Sequence, residues 1–168
     1  MEIKIISGYI FLDKIKELFV EYTDMLIELD NAFADYLNVQ NYSRELENMH
    51  EKYSPPDGRL YLATVDNEPA ACIALRKLDK ENCEMKRLYV RPAYRRCGLG
   101  GKLVRQIIAD AKEIGYSSML MDTHVRLEDA IRLYQKFGFY EIDCYYDYLM
   151  ENTVCMKLDL DVYNESNK

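Results

Sequence analysis

The chain has 168 residues, of which 49% are hydrophobic and 30% charged; this fits one globular domain and excludes a disordered tail, a fibre or a two-domain enzyme. A net charge of −7 argues against DNA or RNA as the main partner, since such proteins present strongly basic surfaces. About 70% of the unfolded surface can be buried at this length, so the fold needs neither a disulfide nor a structural metal.

Residues 2–7 alternate apolar and polar side chains as a strand does, and residues 12–29 place Ile15, Leu18, Phe19, Tyr22, Leu26 and Leu29 at helical spacing. Residues 31–40 are polar and mixed, Ser43 followed by Glu47 and Met49 suggests a second helix, and Ser54-Pro55-Pro56-Asp57-Gly58 is a turn. Strands are predicted at 59–65 and 70–78, joined as a hairpin through Asp66-Asn67-Glu68-Pro69, and a third at 82–90, which Arg91-Pro92 ends. Residues 99–114 carry Leu99, Leu103, Val104, Ile107, Ile108 and Ala111 on one helical face, with Gly115 as the stop. A strand at 117–123, a helix at 127–137 closed by Gly138, and strands at 139–146 and 153–160 complete the domain. The expected architecture is a single α/β domain over 1–160 with a mixed sheet, followed by a polar tail at 161–168. Cys72, Cys83, Cys97, Cys144 and Cys155 are odd in number with no C-x-x-C pair, and no hydrophobic signal segment precedes the fold. Reduced thiols and a cytoplasmic location are therefore expected. No stretch approaches the ~20 continuous apolar residues of a membrane span, so no membrane partner is expected.

Charge is unevenly placed. Between Lys86 and Arg105 stand seven basic residues (Lys86, Arg87, Arg91, Arg95, Arg96, Lys102, Arg105) and no acidic one, which leaves −14 for the rest of the chain. This reads as a local anion site in an acidic protein. At its centre Arg95-Arg96-Cys97-Gly98-Leu99-Gly100-Gly101-Lys102 joins a strand to a helix, where free backbone N–H groups and the positive end of the helix dipole point outward. The dinucleotide pattern G-x-G-x-x-G would need glycine at Leu103, and the P-loop would need glycine at Arg96 and a hydroxyl at Leu103; both fail. What remains is [QR]-x-x-G-x-[GA] at Arg95, Gly98 and Gly100. An ordinary strand-to-helix loop with glycines for tight packing is the alternative, against which Lys102 and Arg105 weigh, because positive charge in the first turns of a helix is unfavourable without an anion nearby.

This turn, with Ala130-Ile131-Arg132-Leu133-Tyr134-Gln135-Lys136-Phe137-Gly138-Phe139 downstream in the pattern A-x-x-L-Y-x-x-x-G-F, resembles the GNAT superfamily of acyl-CoA N-acyltransferases. The element order agrees from Glu2 to Leu160. The resemblance implies a GNAT-like fold with a central mixed, mostly antiparallel sheet flanked by helices. It also implies acetyl-CoA as cosubstrate, held by Arg95, Arg96, Cys97, Gly98, Leu99, Gly100, Gly101 and Lys102 at the pyrophosphate and by Leu88, Tyr89, Val90 and Tyr134 further along. Many relatives have glycine at the position of Arg96 and a basic residue at that of Cys97, and the asparagine that often binds pantetheine is here Leu127.

Acyl transfer to an amine needs a proton acceptor, stabilisation of the oxyanion and a proton for the departing thiolate. By the resemblance, Glu84 stands where histone-acetylating members carry their catalytic glutamate, the Leu88 N–H polarises the thioester carbonyl, and Tyr134 is the general acid. Tyr89 and Val90 would pair with the pantetheine arm, provided the strand splays from its neighbour. Each side chain has a plainer reading: Glu84 could neutralise Lys86 or Arg126 on a strand face, and Tyr134 could belong to an apolar stripe. His50 and His124 show no ligand spacing, so no metal is expected; Cys97 reads as an oxidation-sensitive bystander. The run Tyr145-Tyr146-Asp147-Tyr148 would suit an ammonium acceptor or form a plain hairpin with exposed tyrosines. The expected partners are acetyl-CoA, an amine acceptor of cationic character and, as is common in this family, a second copy in a homodimer. The expected activity is acetyl transfer to a primary amine by direct attack; a CoA-binding regulatory module without turnover is the first alternative, and an RNA-binding domain using the basic window and tyrosines the second.

Overall fold

In the computed structural model, which describes residues 1–147 and 150–165, β1 (Ile3–Ser7) leads into α1 (Leu12–Leu29), α2 (Ala32–Val39), α3 (Tyr42–Glu47) and α4 (Met49–Lys52). There follow β2 (Arg59–Val65), β3 (Glu68–Lys77), β4 (Asn82–Val90), α5 (Leu99–Ile114), β5 (Ser118–His124), α6 (Glu128–Phe137), β6 (Tyr140–Ile142) and β7 (Thr153–Asp159). Seven strands form one sheet in the order β1-β2-β3-β4-β5-β7-β6. Only β4 and β5 run parallel; every other neighbouring pair is antiparallel. The expected mixed, mostly antiparallel sheet is thus present.

Helices cover both faces. On one side α5 buries Leu99, Leu103, Val104, Ile107, Ile108 and Ala111 against Ile73, Leu75, Met85 and Met121, and Gly115 closes it at φ 106°, a left-handed conformation that glycine adopts without steric cost. On the other, Ile15, Leu18 and Phe19 of α1 pack with Tyr53, Leu60, Leu62 and Tyr89. Each such fully buried aliphatic side chain contributes about 1.5–3 kcal/mol of gross hydrophobic stabilisation.

Three elements depart from the sequence reading. Residues 31–40 were polar and mixed in composition, yet Phe33, Tyr36 and Leu37 stand at i, i+3 and i+4 and fold α2 inward. The second helix breaks at Asn48, whose φ of −127° separates α3 from α4. The strand expected at 139–146 is paired only over Tyr140–Ile142. Beyond it Cys144 is joined to Cys155 of β7, with a Cα–Cα separation of 5.2 Å, while Cys72, Cys83 and Cys97 are free. The expectation of five reduced thiols is corrected: antiparallel pairing sets Cys155 opposite Ile142, two residues from Cys144, a proximity that spacing along the chain does not reveal. The argument for a cytoplasmic location loses its cysteine support with it. No helix among the described residues is long and apolar enough to cross a membrane.

Candidate active site

β4 and β5 pair through Asn82, Cys83 and Glu84 against Ser118, Met119 and Leu120, and then part, although β4 runs on to Val90 and β5 to His124. On its other edge β4 is bulged: Cys72 faces Tyr89 and Ala74 faces Lys86, so Arg87 and Leu88 together stand against Ile73. Arg87 takes a φ of 58°, a left-handed conformation unusual for a side chain of its size. Leu88 consequently has a register partner on neither neighbour. The splay on which the backbone roles of Leu88, Tyr89 and Val90 depend is therefore present.

The opening leads to the glycine turn. Gly98, at φ 78°, is the N-cap of α5 and no side chain caps the helix; the first intrahelical bond in this turn is from the N–H of Lys102 to the Gly98 carbonyl, at 3.1 Å. The N–H groups of Leu99, Gly100 and Gly101 precede that bond and have no partner within the helix. A Cβ on Gly100 would lie 3.4 Å from Leu133 Cδ2 and 3.8 Å from Val90 Cγ2, so this glycine is not required by internal packing. The alternative of glycines placed for tight packing loses its support here. Arg96, with φ 64°, and Lys102 are exposed. Arg95 is exposed too, and its Nε donates to the Val90 carbonyl at 3.0 Å; the Cys97 thiol donates to the Tyr94 carbonyl at 2.7 Å.

Tyr134 projects from α6 into the core, its ring edge-on to Phe139 at 5.8 Å, and is 5% exposed. Burial pushes its phenol above the ordinary range, with Tyr22 and Asp122 adding to the effect, so it stays protonated. No described group takes a hydrogen bond from its hydroxyl. The core packing and an available hydroxyl coexist in one residue.

Glu84 is buried and heavily engaged. Its Oε1 accepts from Arg76 Nε at 2.7 Å and lies 3.7 Å from Lys86 Nζ, while its Oε2 accepts from the Tyr145 hydroxyl. Burial favours the neutral acid, but Lys86, Arg76 and the Tyr145 bond outweigh it and hold the carboxyl below the usual glutamate range. Of the two cations expected to neutralise Glu84, Lys86 is in place and Arg126 is not; Arg126 donates instead to the Leu29 carbonyl. Arg76, opposite Glu84 in the β3–β4 register, supplies the closer contact.

α1, α2, β4 and β5 border a cleft lined by Tyr22, Phe33, Tyr36, Arg87, Asp122 and His124 among others. Asp122 Oδ2 accepts from Tyr36 at 2.9 Å and from Tyr146. Tyr145 and Tyr146 are therefore tied inward to two carboxylates rather than displayed on a plain hairpin; Asp147 is exposed, and Tyr148 lies outside the described residues. Behind the cleft Glu45 receives Arg87 through both oxygens, at 2.8 and 3.2 Å, together with Lys52 and the Tyr53 hydroxyl. These contacts lower its pKa to about 2 against the effect of burial. His124 is a satisfied core histidine, with Nε2 3.0 Å from Asp30 and Nδ1 accepting the Arg126 N–H. Among the described residues no three His, Cys, Asp or Glu side chains converge as a metal site would require.

Sequence reasoning missed Arg76, Asp122, Tyr36 and Glu45. A charged residue directly after the apolar run Met119-Leu120-Met121 was the available signal for Asp122; the other three depend on which elements meet.

The sequence profile of the Acetyltransferase (GNAT) family matches residues 23–139. An uncharacterized N-acetyltransferase of Schizosaccharomyces pombe is 40% identical over 151 residues, covering 89% of this chain and 88% of its own. A GNAT-family acetyltransferase structure from Staphylococcus aureus superposes with a TM-score of 0.75 at 23% identity, covering 95% of this chain and 99% of its own. One from Elizabethkingia anophelis, solved with acetyl-CoA bound, does so with a TM-score of 0.54 at 27% identity over 66% of this chain and 81% of its own. On the extent of the profile match and the length of the aligned relative, the chain belongs to the GNAT acetyltransferase family.

Proposed function

We propose that this chain is an acetyl-CoA-dependent N-acetyltransferase whose acceptor is a primary amine that attacks the thioester directly in a ternary complex. The observation that carries this reading is the gap between β4 and β5 beyond Glu84 and Leu120, running to the uncapped N-terminus of α5. The pyrophosphate of acetyl-CoA lies on the N–H groups of Leu99, Gly100 and Gly101, where the helix dipole favours an anion, with Arg95, Arg96, Cys97, Gly98 and Lys102 around it. The pantetheine arm follows Tyr89 and Val90, and the Leu88 N–H receives the thioester oxygen as negative charge develops there.

In the step itself the amine nitrogen forms a bond to the carbonyl carbon and the carbon–sulfur bond breaks. The proton lost by nitrogen passes towards Glu84, through water or the Tyr145 hydroxyl on its Oε2, and Tyr134 gives a proton to the thiolate. A phenol held neutral by burial suits that last role. The acceptor enters through the cleft beside Asp122, Tyr36 and Tyr146, whose aromatic rings and carboxylate suit an ammonium; the excess of −14 outside the cofactor window steers cations towards it. The test is CoA release from acetyl-CoA across a panel of primary amines, with CoA affinity measured alongside. Saturable CoA binding with no release across the panel would instead favour a regulatory module.

A further inference from the structure

The charged groups behind the cleft do not balance. Lys52, Arg76, Lys86 and Arg87 face three carboxylates, Glu45, Glu84 and Asp122, whose mutual influence ties them into one cluster. Glu45 is taken by Arg87, Lys52 and Tyr53, Glu84 by Arg76 and Tyr145, and Asp122 by Tyr36 and Tyr146. Lys86 is the most loosely paired of these cations: its side chain is only 8% exposed, its one ion-pair contact is Glu84 at 3.7 Å, a carboxylate that Arg76 and Tyr145 already occupy, and among the described residues it makes no hydrogen bond. Its Nζ is not a fully buried, unsatisfied atom, so it keeps a narrow opening to solvent; an ammonium with three donors, mostly withdrawn from water and holding one contact longer than a hydrogen bond, is poised to take an anion through that opening. Lys86 lies past the last β4–β5 pair, on the same strand face as Glu84 and two residues before Leu88.

We propose that Lys86 is the anion-binding residue of the acceptor cleft and that the acceptor is an amine carrying a carboxylate, a short amino acid being the simplest case. The inference rests on the transferase reading above and narrows the acceptor from any ammonium compound to one that also bears negative charge. Lys86 and Leu88 are two residues apart on β4, across the bulge at Arg87, so even with the reach of the lysine stem the amine and the carboxylate fit within one small molecule. A single ammonium neutralises one carboxylate, whereas a phosphate monoester of charge about −1.5 to −2 would be left partly uncompensated beside Glu84, since Arg87 is already committed to Glu45. Burial, with Arg87 beside it, lowers the Lys86 pKa to about 8, so the side chain is still mostly charged at neutral pH, and an anion would hold it so.

The experiment compares KM and kcat for matched sets of amines: amino acids, their amides and methyl esters, aminoalkyl phosphates and polyamines, with wild type and Lys86→Met. Carboxylate-bearing amines should show a KM at least tenfold below that of their amides, and Lys86→Met should collapse this ratio. Amides, esters or polyamines used as well as the acids would overturn the proposal, as would a preference for aminoalkyl phosphates. So would a Lys86→Met variant that keeps the ratio; a uniform fall in kcat reports the loss of a cation beside Glu84, and the KM ratio decides the anion site. If no amine releases CoA, the transferase reading fails and Lys86 is judged by thermal unfolding in sodium propionate against sodium chloride at equal ionic strength. Propionate should raise the Tm of wild type and not that of Lys86→Met; equal effects on both would overturn the anion site.

Discussion

Replacing Gly100 by valine separates the cofactor role of the glycine turn from its part in the fold. The backbone at this position is not left-handed, so a side chain is conformationally allowed, and the added Cβ would meet Leu133 and Val90 at ordinary contact distances of 3.4 and 3.8 Å. Valine is a slightly better helix former than glycine, so stability should change by about 0.5 kcal/mol or less, a Tm shift of about 2 °C at most. Binding should respond far more. Hydrogen bonds to a charged group are worth about 1.5–3 kcal/mol each, and a branched side chain over the helix N-terminus displaces the pyrophosphate from at least two of the three free N–H groups. That is a loss of about 3 kcal/mol or more, at least about 100-fold in Kd. Calorimetric titration with acetyl-CoA, beside a thermal melt of the same sample, reads both quantities. A folded Gly100→Val protein that binds acetyl-CoA as wild type does would refute the assignment of the turn.

Tyr134→Phe keeps the ring against Phe139 and removes the proton donor; kcat should fall about tenfold or more at unchanged acetyl-CoA affinity, with little rescue at high pH. Glu84→Gln should lower kcat about 100-fold at neutral pH and recover much of it as rising pH supplies free amine, so pH profiles of the two variants should diverge. Since Lys86 and Arg76 hold Glu84 ionised below the usual glutamate range, the acid limb of kcat/KM above about pH 5 should follow the acceptor's ammonium and move with the acceptor's pKa. Glu45, lowered from 4.5 to about 2, contributes stability that is present above pH 4.5 and lost as pH falls towards 2, about 3 kcal/mol in all. Urea unfolding should show that loss in wild type and not in Glu45→Gln, which should already be destabilised by about 3–5 kcal/mol at pH 7 because Arg87 and Lys52 are left without their carboxylate.

What could be read from the residues was whatever local periodicity or turn chemistry determines. The stripe from Leu99 to Ala111, the stop at Gly115 and the hairpin at Asp66 and Asn67, both at positive φ, needed no tertiary information. The cofactor turn was legible for the same reason, because a helix N-terminus with glycines has its chemistry built into its backbone. The acceptor side was not, because α2 to α4 reach Asp122 and Arg87 only through contacts far apart in sequence: Tyr36 to Asp122 spans 86 residues and Glu45 to Arg87 spans 42. Lys86 was counted as part of a basic window facing a phosphate, when the alternation of β4 turns it to the opposite face from Met85, away from the α5 core. The αL bulge at Arg87 has no sequence signal, since arginine carries no preference for that conformation.

The thiol inventory bears on how turnover can be followed. A dye that reports released CoA by reacting with its thiol also reacts with the enzyme, and here the protein offers little competition. Cys144 and Cys155 are bonded to each other, and Cys72 and Cys83 are buried with thiols raised well above the ordinary range, leaving Cys97 as the one partly accessible sulfhydryl per chain. A blank of at most one rapid equivalent of dye is therefore expected from native enzyme, and three after denaturation without reductant. Adding reductant to such an assay would consume the dye and could also open the bridge anchoring the loop whose Tyr145 and Tyr146 touch Glu84 and Asp122, so rates recorded with and without it would belong to two differently tethered acceptor clefts.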